Sequence, residues 1–170
     1  MRRIIAFIAL VFVLAGCSKA FEPKPKDVAA VYKNDFSVKA KATYGENETD
    51  FKITKNGMSI SFIVESPKEL SGLSIALSDE HAKVDFEGME LLLGTENLPE
   101  KAPFFLVEEL FENLSDEEDF TLSTDKNSVL AKGEKFSAIL SPEDFLLESA
   151  VFPEYKTEFS FSEWEIYAEE

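Results

Sequence analysis

Beyond residue 16 the sequence holds no arginine, and its whole length holds one cysteine (Cys17), one histidine (His81) and one tryptophan (Trp164). A single cysteine excludes an internal disulfide, so stability must come from packing. Zinc would lack both thiolate and imidazole ligands. Nucleophilic catalysis needs a base beside the serine or cysteine, but His81 stands near a predicted turn and reads as solvated. No Gly-x-Ser-x-Gly elbow occurs, and the seven glycines do not cluster into a phosphate cradle. Asp116, Glu117, Glu118 and Asp119 are four carboxylates in a row without the glycine-punctuated spacing of a calcium loop, and they read as a solvated acidic loop. Nothing selects two of the many acids as a glycosidase pair. These absences point away from an enzyme and from any metal or other cofactor.

Cations are also scarce. After residue 16 there are 15 lysines against 33 acids, a net charge of −18, and such a field repels nucleic acid. The imbalance is uneven, with nine lysines and seven acids over residues 17–68 but six lysines and 26 acids from Glu69 onward. Lys19, Lys24 and Lys26 therefore lie in a near-neutral start that suits an anionic surface, while the acidity beyond keeps the domain soluble.

What is present begins with an address. Met1, Arg2 and Arg3 precede an apolar run over residues 4–13, the order of an export signal. That run is far shorter than the ~20 residues a membrane-crossing helix needs. Leu14, Ala15, Gly16 and Cys17 resemble the lipobox of bacterial lipoproteins. The resemblance implies cleavage between Gly16 and Cys17 and a thioether from Cys17 to diacylglycerol. Two or more acyl chains anchor far more firmly than one. The expected organisation is a signal peptide over 1–16, a lipidated tether over 17–26 containing Pro23 and Pro25, and a single antiparallel-β domain over 27–170.

Within that domain Asp27 is placed to cap a short helix through Tyr32. Phe36, Val38, Ala40, Ala42 and Tyr44 then alternate with polar residues as a strand does. Phe51 and Ile53 continue to an Asn56-Gly57 hairpin signal, and Met58, Ile60, Phe62 and Val64 return. Leu73, Ile75 and Leu77, then Val84 and Phe86, extend the pattern. Leu91, Leu92 and Leu93 occupy both faces, which predicts a strand covered on each side. Pro103 opens an amphipathic helix with Phe104, Val107, Leu110, Phe111 and Leu114 on one face and Glu108, Glu109 and Glu112 on the other. Short strands follow around Phe120–Leu122, Val129–Ala131 and Phe136–Leu140, and Phe159, Phe161 and Trp164 suggest a closing strand. The expected class is mainly β (α+β): in principle a sandwich would fit, but a lone helix between strand groups packs better on the concave face of a curved antiparallel sheet.

The N-terminal helix, the meander over residues 35–43 and 55–64, and the run Ser66-Pro67-Lys68-Glu69-Leu70-Ser71-Gly72-Leu73 resemble lipoproteins of Gram-positive anaerobes and, more distantly, the LolA/LppX-like superfamily. That resemblance implies an unclosed half-barrel whose hollow receives acyl chains. The missing arginine departs from the lipoprotein-carrier branch. Fourteen phenylalanines remain after residue 16. The expected ligand-binding residues are Met58, Ile60, Phe62, Phe104, Val107, Leu110 and Phe111, whose surfaces suit a loosely specified greasy ligand. The expected partners are the membrane, through Cys17, and an apolar ligand or an envelope protein. The resemblance favours the external face of a monoderm membrane, and Ser18 would permit outer-membrane sorting in a diderm. The alternative function is an envelope interaction or structural lipoprotein without a small ligand, docking by a sheet edge or by its acidic surface.

Cys17→Ser should block processing and release the protein from the membrane fraction. Pulse-labelling and fractionation measure this, and unchanged processing would contradict the lipobox reading.

Overall fold

A computed structural model describes residues 23–78, 81–94, 102–125 and 127–167, so Gly16, Cys17 and the tether to residue 22 lie outside the described residues. Helix α1 (Pro25–Lys33) leads into β1 (Asp35–Tyr44), β2 (Asn47–Asn56), β3 (Ser59–Ser66), β4 (Ser74–Leu77), β5 (His81–Phe86) and β6 (Met89–Gly94). Helix α2 (Pro103–Ser115) follows, then β7 (Thr121–Asp125), β8 (Ser128–Lys132), β9 (Ser137–Leu140), β10 (Leu147–Phe152) and β11 (Thr157–Tyr167). The strands make one sheet in the order β6-β5-β4-β3-β2-β1-β11-β10-β9-β8-β7. Among the described residues it is a curled, unclosed antiparallel sheet with two α-helices, the mainly β half-barrel that the resemblance implies.

Pro25, not Asp27, begins α1. Its ring is pre-set for the first helical position, Lys24 is the N-cap without a side-chain bond, and Asp27 falls inside the first turn, where its charge favours the helix dipole. The β2–β3 loop also differs by one residue from its sequence signal. Asn56 pairs with Ser59, so the loop residues are Gly57 and Met58, with Gly57 at φ +59°. A glycine in the first loop position meets the positive φ that this tight hairpin demands. Met58 is consequently at the tip and 86% exposed, not on the inward face of the strand.

The concave face is a set of cross-strand ladders. Val38, Ile53, Phe62, Ile75, Val84 and Leu91 are successive partners from β1 to β6. Val38, Ile53, Phe62 and Ile75 are buried, Val84 is half-buried and Leu91 is 57% exposed. The cover therefore fades toward one edge. Leu92, on the other face of β6, is 68% exposed. The expectation that β6 is covered on both sides is thus wrong: it is an edge strand beyond the reach of α2, where side chains on either face meet solvent.

A second ladder joins Ala131, Ala138, Ala150, Phe159 and Ala42 across β8, β9, β10, β11 and β1. These four alanines are almost fully buried. Small side chains there let the sheet curl closely over its own core. Helix α2 buries Leu106, Val107, Leu110, Phe111 and Leu114 against the concave face. Val28, Ala29 and Tyr32 of α1 add to the same core. The Tyr32 hydroxyl donates to the Phe145 carbonyl at 2.9 Å, and burial pushes its phenol well above the ordinary tyrosine range.

Bulges on β11 and β10 shift the side-chain phase. On β11 the inward residues are Phe159 and Phe161, and the next would be Glu163. An extra residue opposite Val38 places Glu163 at φ +54° and turns Trp164 inward instead. Its indole N–H donates to the Leu147 carbonyl at 3.0 Å, and its rings lie 5.2 Å from Phe36 and 6.1 Å from Phe111. On β10, residue 148 is the extra one, which spaces the inward Leu147 and Ala150 three apart.

Glu163→Gly should preserve or raise stability, since glycine adopts this backbone freely. Glu163→Val should cost about 1–2 kcal/mol. Both lose the exposed Lys39–Glu163 ion pair equally. Denaturant melts test this, and equal losses would contradict the bulge as the reason.

Candidate apolar ligand site

The seam between α2 and β3 holds two clefts, one near each end of the helix. The smaller, about 140 Å³, lies at the N-terminal end of α2 and is lined mainly by hydrocarbon: Phe51, Phe62, Val64, Leu70, Leu73, Ile75 and Phe104, with Tyr44, Thr49 and Pro103. Phe104 and Phe62 have ring centroids 6.1 Å apart, so the helix residue lies over the strand residue. Leu70, 42% exposed, stands at the margin. The larger, about 430 Å³, lies at the C-terminal end of α2. It is lined by Met58, Ile60 and Phe111, by Lys33 and Lys55, and by Glu108, Glu112 and Asp116, with Gly57, Ser59 and Ser115.

The seven residues expected from sequence divide three ways. Phe62 and Phe104 line the smaller cleft, and Met58, Ile60 and Phe111 line the larger. Val107 and Leu110 are fully buried and line neither. Sequence reasoning missed Leu70 and Leu73, although two leucines amid the polar loop residues of Lys68-Glu69-Leu70-Ser71-Gly72-Leu73 are a signal that could have found them. It also missed Lys33 and Lys55. The Lys55 ammonium donates to the carbonyls of Lys33 (3.3 Å) and Asn34 (3.2 Å), closing the C-terminus of α1.

The polar clusters are occupied in holding the fold. Ser37, nearly fully buried, donates to Glu165 Oε2 at 3.1 Å, and the Tyr167 hydroxyl donates to Ser37 Oγ at 3.2 Å and to Glu165 at 3.0 Å. The Tyr167 and Ser37 hydrogen bonds, with the charge of Lys52, hold the Glu165 carboxyl below its ordinary range. Such a carboxylate is a weak base for activating Ser37. His81 is exposed at the start of β5. Asp116 accepts the Glu118 backbone N–H at 3.0 Å, an ordinary acidic turn. Among the described residues no group of three or more His, Cys, Asp and Glu side chains is placed to hold a metal. No described helix is long and apolar enough to cross a membrane.

Residues 1–18 match the prokaryotic membrane lipoprotein lipid attachment site. Its N-terminus therefore carries a lipoprotein lipid-attachment site. No curated protein matches the chain in sequence. In structure it is similar to an uncharacterized conserved protein from Thermus thermophilus, with a TM-score of 0.55 at 8% identity over 83% of each chain. It is also similar to a LolA superfamily protein from Nitrosomonas europaea, with a TM-score of 0.42 at 7% identity over 85% of this chain and 92% of that one. Another similar structure is the Mycobacterium tuberculosis lipoprotein LppX, with a TM-score of 0.43 at 9% identity over 82% of this chain and 91% of that one. At 8% identity the likeness to the Thermus thermophilus protein is one of fold alone.

Because Glu165 is held below its unfolded-state pKa, it contributes stability above that pKa, and the contribution is lost as pH falls through the folded-state value. Glu165→Gln should therefore melt below wild type at neutral pH, with the gap closing in acid. Thermal melts between about pH 7 and pH 3 measure this, and a gap that stays constant would contradict the linkage.

Proposed function

We propose that the mature protein is a non-catalytic, lipid-anchored binder on the extracytoplasmic face of a membrane, holding an acyl chain or another apolar ligand in the seam between α2 and β3. The smaller cleft carries this reading. Val107 and Leu110 are packed to full burial, whereas the hydrocarbon surfaces around Phe62 and Phe104 line an open cleft of about 140 Å³. Covering apolar walls that meet water is favourable, at about 25 cal/mol per Å². Leucine and phenylalanine walls grip a flexible chain without directional demands.

The anchor supports the same reading. From Cys17 to Pro23 the tether reaches at most about 20 Å, which keeps the cleft close to the bilayer that supplies acyl chains. Cleavage before Cys17 and a domain running from the tether to residue 170 complete the proposed organisation.

A second reading has one specific observation in its favour. Met89, Leu91 and Leu92 are 65%, 57% and 68% exposed on the edge strand β6, where an envelope protein could add a strand.

Native mass spectrometry of the chain begun at Ser18 should show co-purified acyl species or uptake of an added medium-chain fatty acid. Leu70→Glu and Phe104→Glu should lower the bound fraction about tenfold, the effect of losing one buried apolar contact surface, while circular dichroism stays unchanged. A protein that emerges empty and takes up no fatty acid would contradict the proposal.

A further inference from the structure

The smaller cleft is hydrocarbon on nearly every side, and its exceptions stand together. On the concave face of β2, the residues opposite Val38, Ala40 and Ala42 are Ile53, Phe51 and Thr49. A ladder that is apolar twice thus ends on a hydroxyl. Tyr44 follows Ala42 on the same face of β1, because side chains two apart share a face. Tyr44 and Thr49 both line the cleft, and both are half-buried. No charged side chain lines it among the described residues.

The two hydroxyl oxygens are 3.5 Å apart. A well-formed O–H···O bond spans roughly 2.5–3.0 Å, so this contact is weak. It uses at most one of the two O–H donors, and each oxygen keeps acceptor capacity. An oxygen atom of a ligand can therefore bond to one hydroxyl or to both. The charge of that ligand group is decided by what the walls lack. A carboxylate or phosphate here would lose water without meeting a cation, which costs far more than desolvating a neutral oxygen. Lys41 stands between Ala40 and Ala42, hence on the opposite face of β1, and is bound to Glu48 Oε2 at 2.7 Å. The volume narrows the choice further. About 140 Å³ is well below the roughly 300–1,000 Å³ of pockets that enclose a whole drug-sized ligand, so this cleft takes a short stretch of one chain.

We infer that the smaller cleft selects a single-chain ligand with a neutral oxygen head, an alcohol or an ester, whose oxygen bonds to the Tyr44 and Thr49 hydroxyls while the adjoining methylenes lie against Phe62 and Phe104. This rests on the apolar-ligand reading above and adds to it a head chemistry and the two residues that read it. Hydrocarbon walls supply the affinity, and the hydroxyl pair supplies the selection.

The test uses the full lipid-anchored chain in phosphatidylcholine vesicles. Octanol carrying a photoreactive diazirine at its chain end is the probe, and adducts are mapped by peptide mass spectrometry. They should fall within residues 62–75 and 103–104. Octanol, methyl octanoate, octanoate at neutral pH and octane then compete, each at its measured concentration in the membrane. Octanol and methyl octanoate should compete at about fivefold lower concentration than octane or octanoate, the effect of one hydrogen bond. Tyr44→Phe and Thr49→Val each remove a hydroxyl and keep the side chain's outline. Each should reduce that advantage, and the double variant should abolish it while octane competes as it does against wild type. Octane or octanoate matching the neutral heads on wild type, or an advantage that survives in the double variant, would overturn the head selection and leave the apolar reading standing. Adducts absent from those residues would overturn both.

Discussion

The pairing of β1 with β11 is the constraint from which the rest of the architecture follows. It places strands from opposite ends of the domain side by side in the middle of the sheet and pushes β6 and β7 to its two edges. The chain must then pass from one edge to the other, and α2 lies in that passage. An amphipathic helix is thereby laid across the concave face, where its apolar side is buried. The pairing is secured by the Ser37, Glu165 and Tyr167 hydrogen bonds and by the bulge that turns Trp164 into the core.

The crossing helix covers the hollow unequally. Toward β8, β9 and β10 the inward positions include the buried alanine ladder. Toward β3 and β4 the facing residues include Ile60, Phe62 and Ile75, and clefts line the seam near both ends of the helix. Beyond it, β5 and β6 emerge into solvent. The proposed binding site is thus formed by the position of one helix over a curved sheet, rather than by a dedicated set of polar groups.

Much of this was legible in the residues. Strict alternation in β1 and the spacing from Phe104 to Leu114 revealed a strand and a helix, because each keeps one apolar face throughout. The β10 strand escaped notice because its bulge spaces Leu147 and Ala150 three apart and hides the two-residue period. The leucines of β6 misled for a different reason: side chains on both faces read alike in a central strand and in an uncovered edge, and only the strand order distinguishes them. Asn56-Gly57 is a strong turn signal that predicts Met58 on the inward face, yet the pairing of Asn56 with Ser59 moves the loop one residue along and carries Met58 to its tip. Of the candidate ligand residues, the chemistry is readable from sequence but the packing is not. Val107 and Phe104 belong to the same apolar helix face, and whether each meets a full core or an open cleft depends on the strand beneath it.

Hydrogen exchange, with and without a saturating medium-chain amphiphile, tests the central claim most directly, since a ligand in the seam must slow local opening of the elements that enclose it. The account predicts added protection over residues 60–64 and 103–111, with β7, β8 and β9 unchanged. Protection confined to β6, or none at any position, would contradict it.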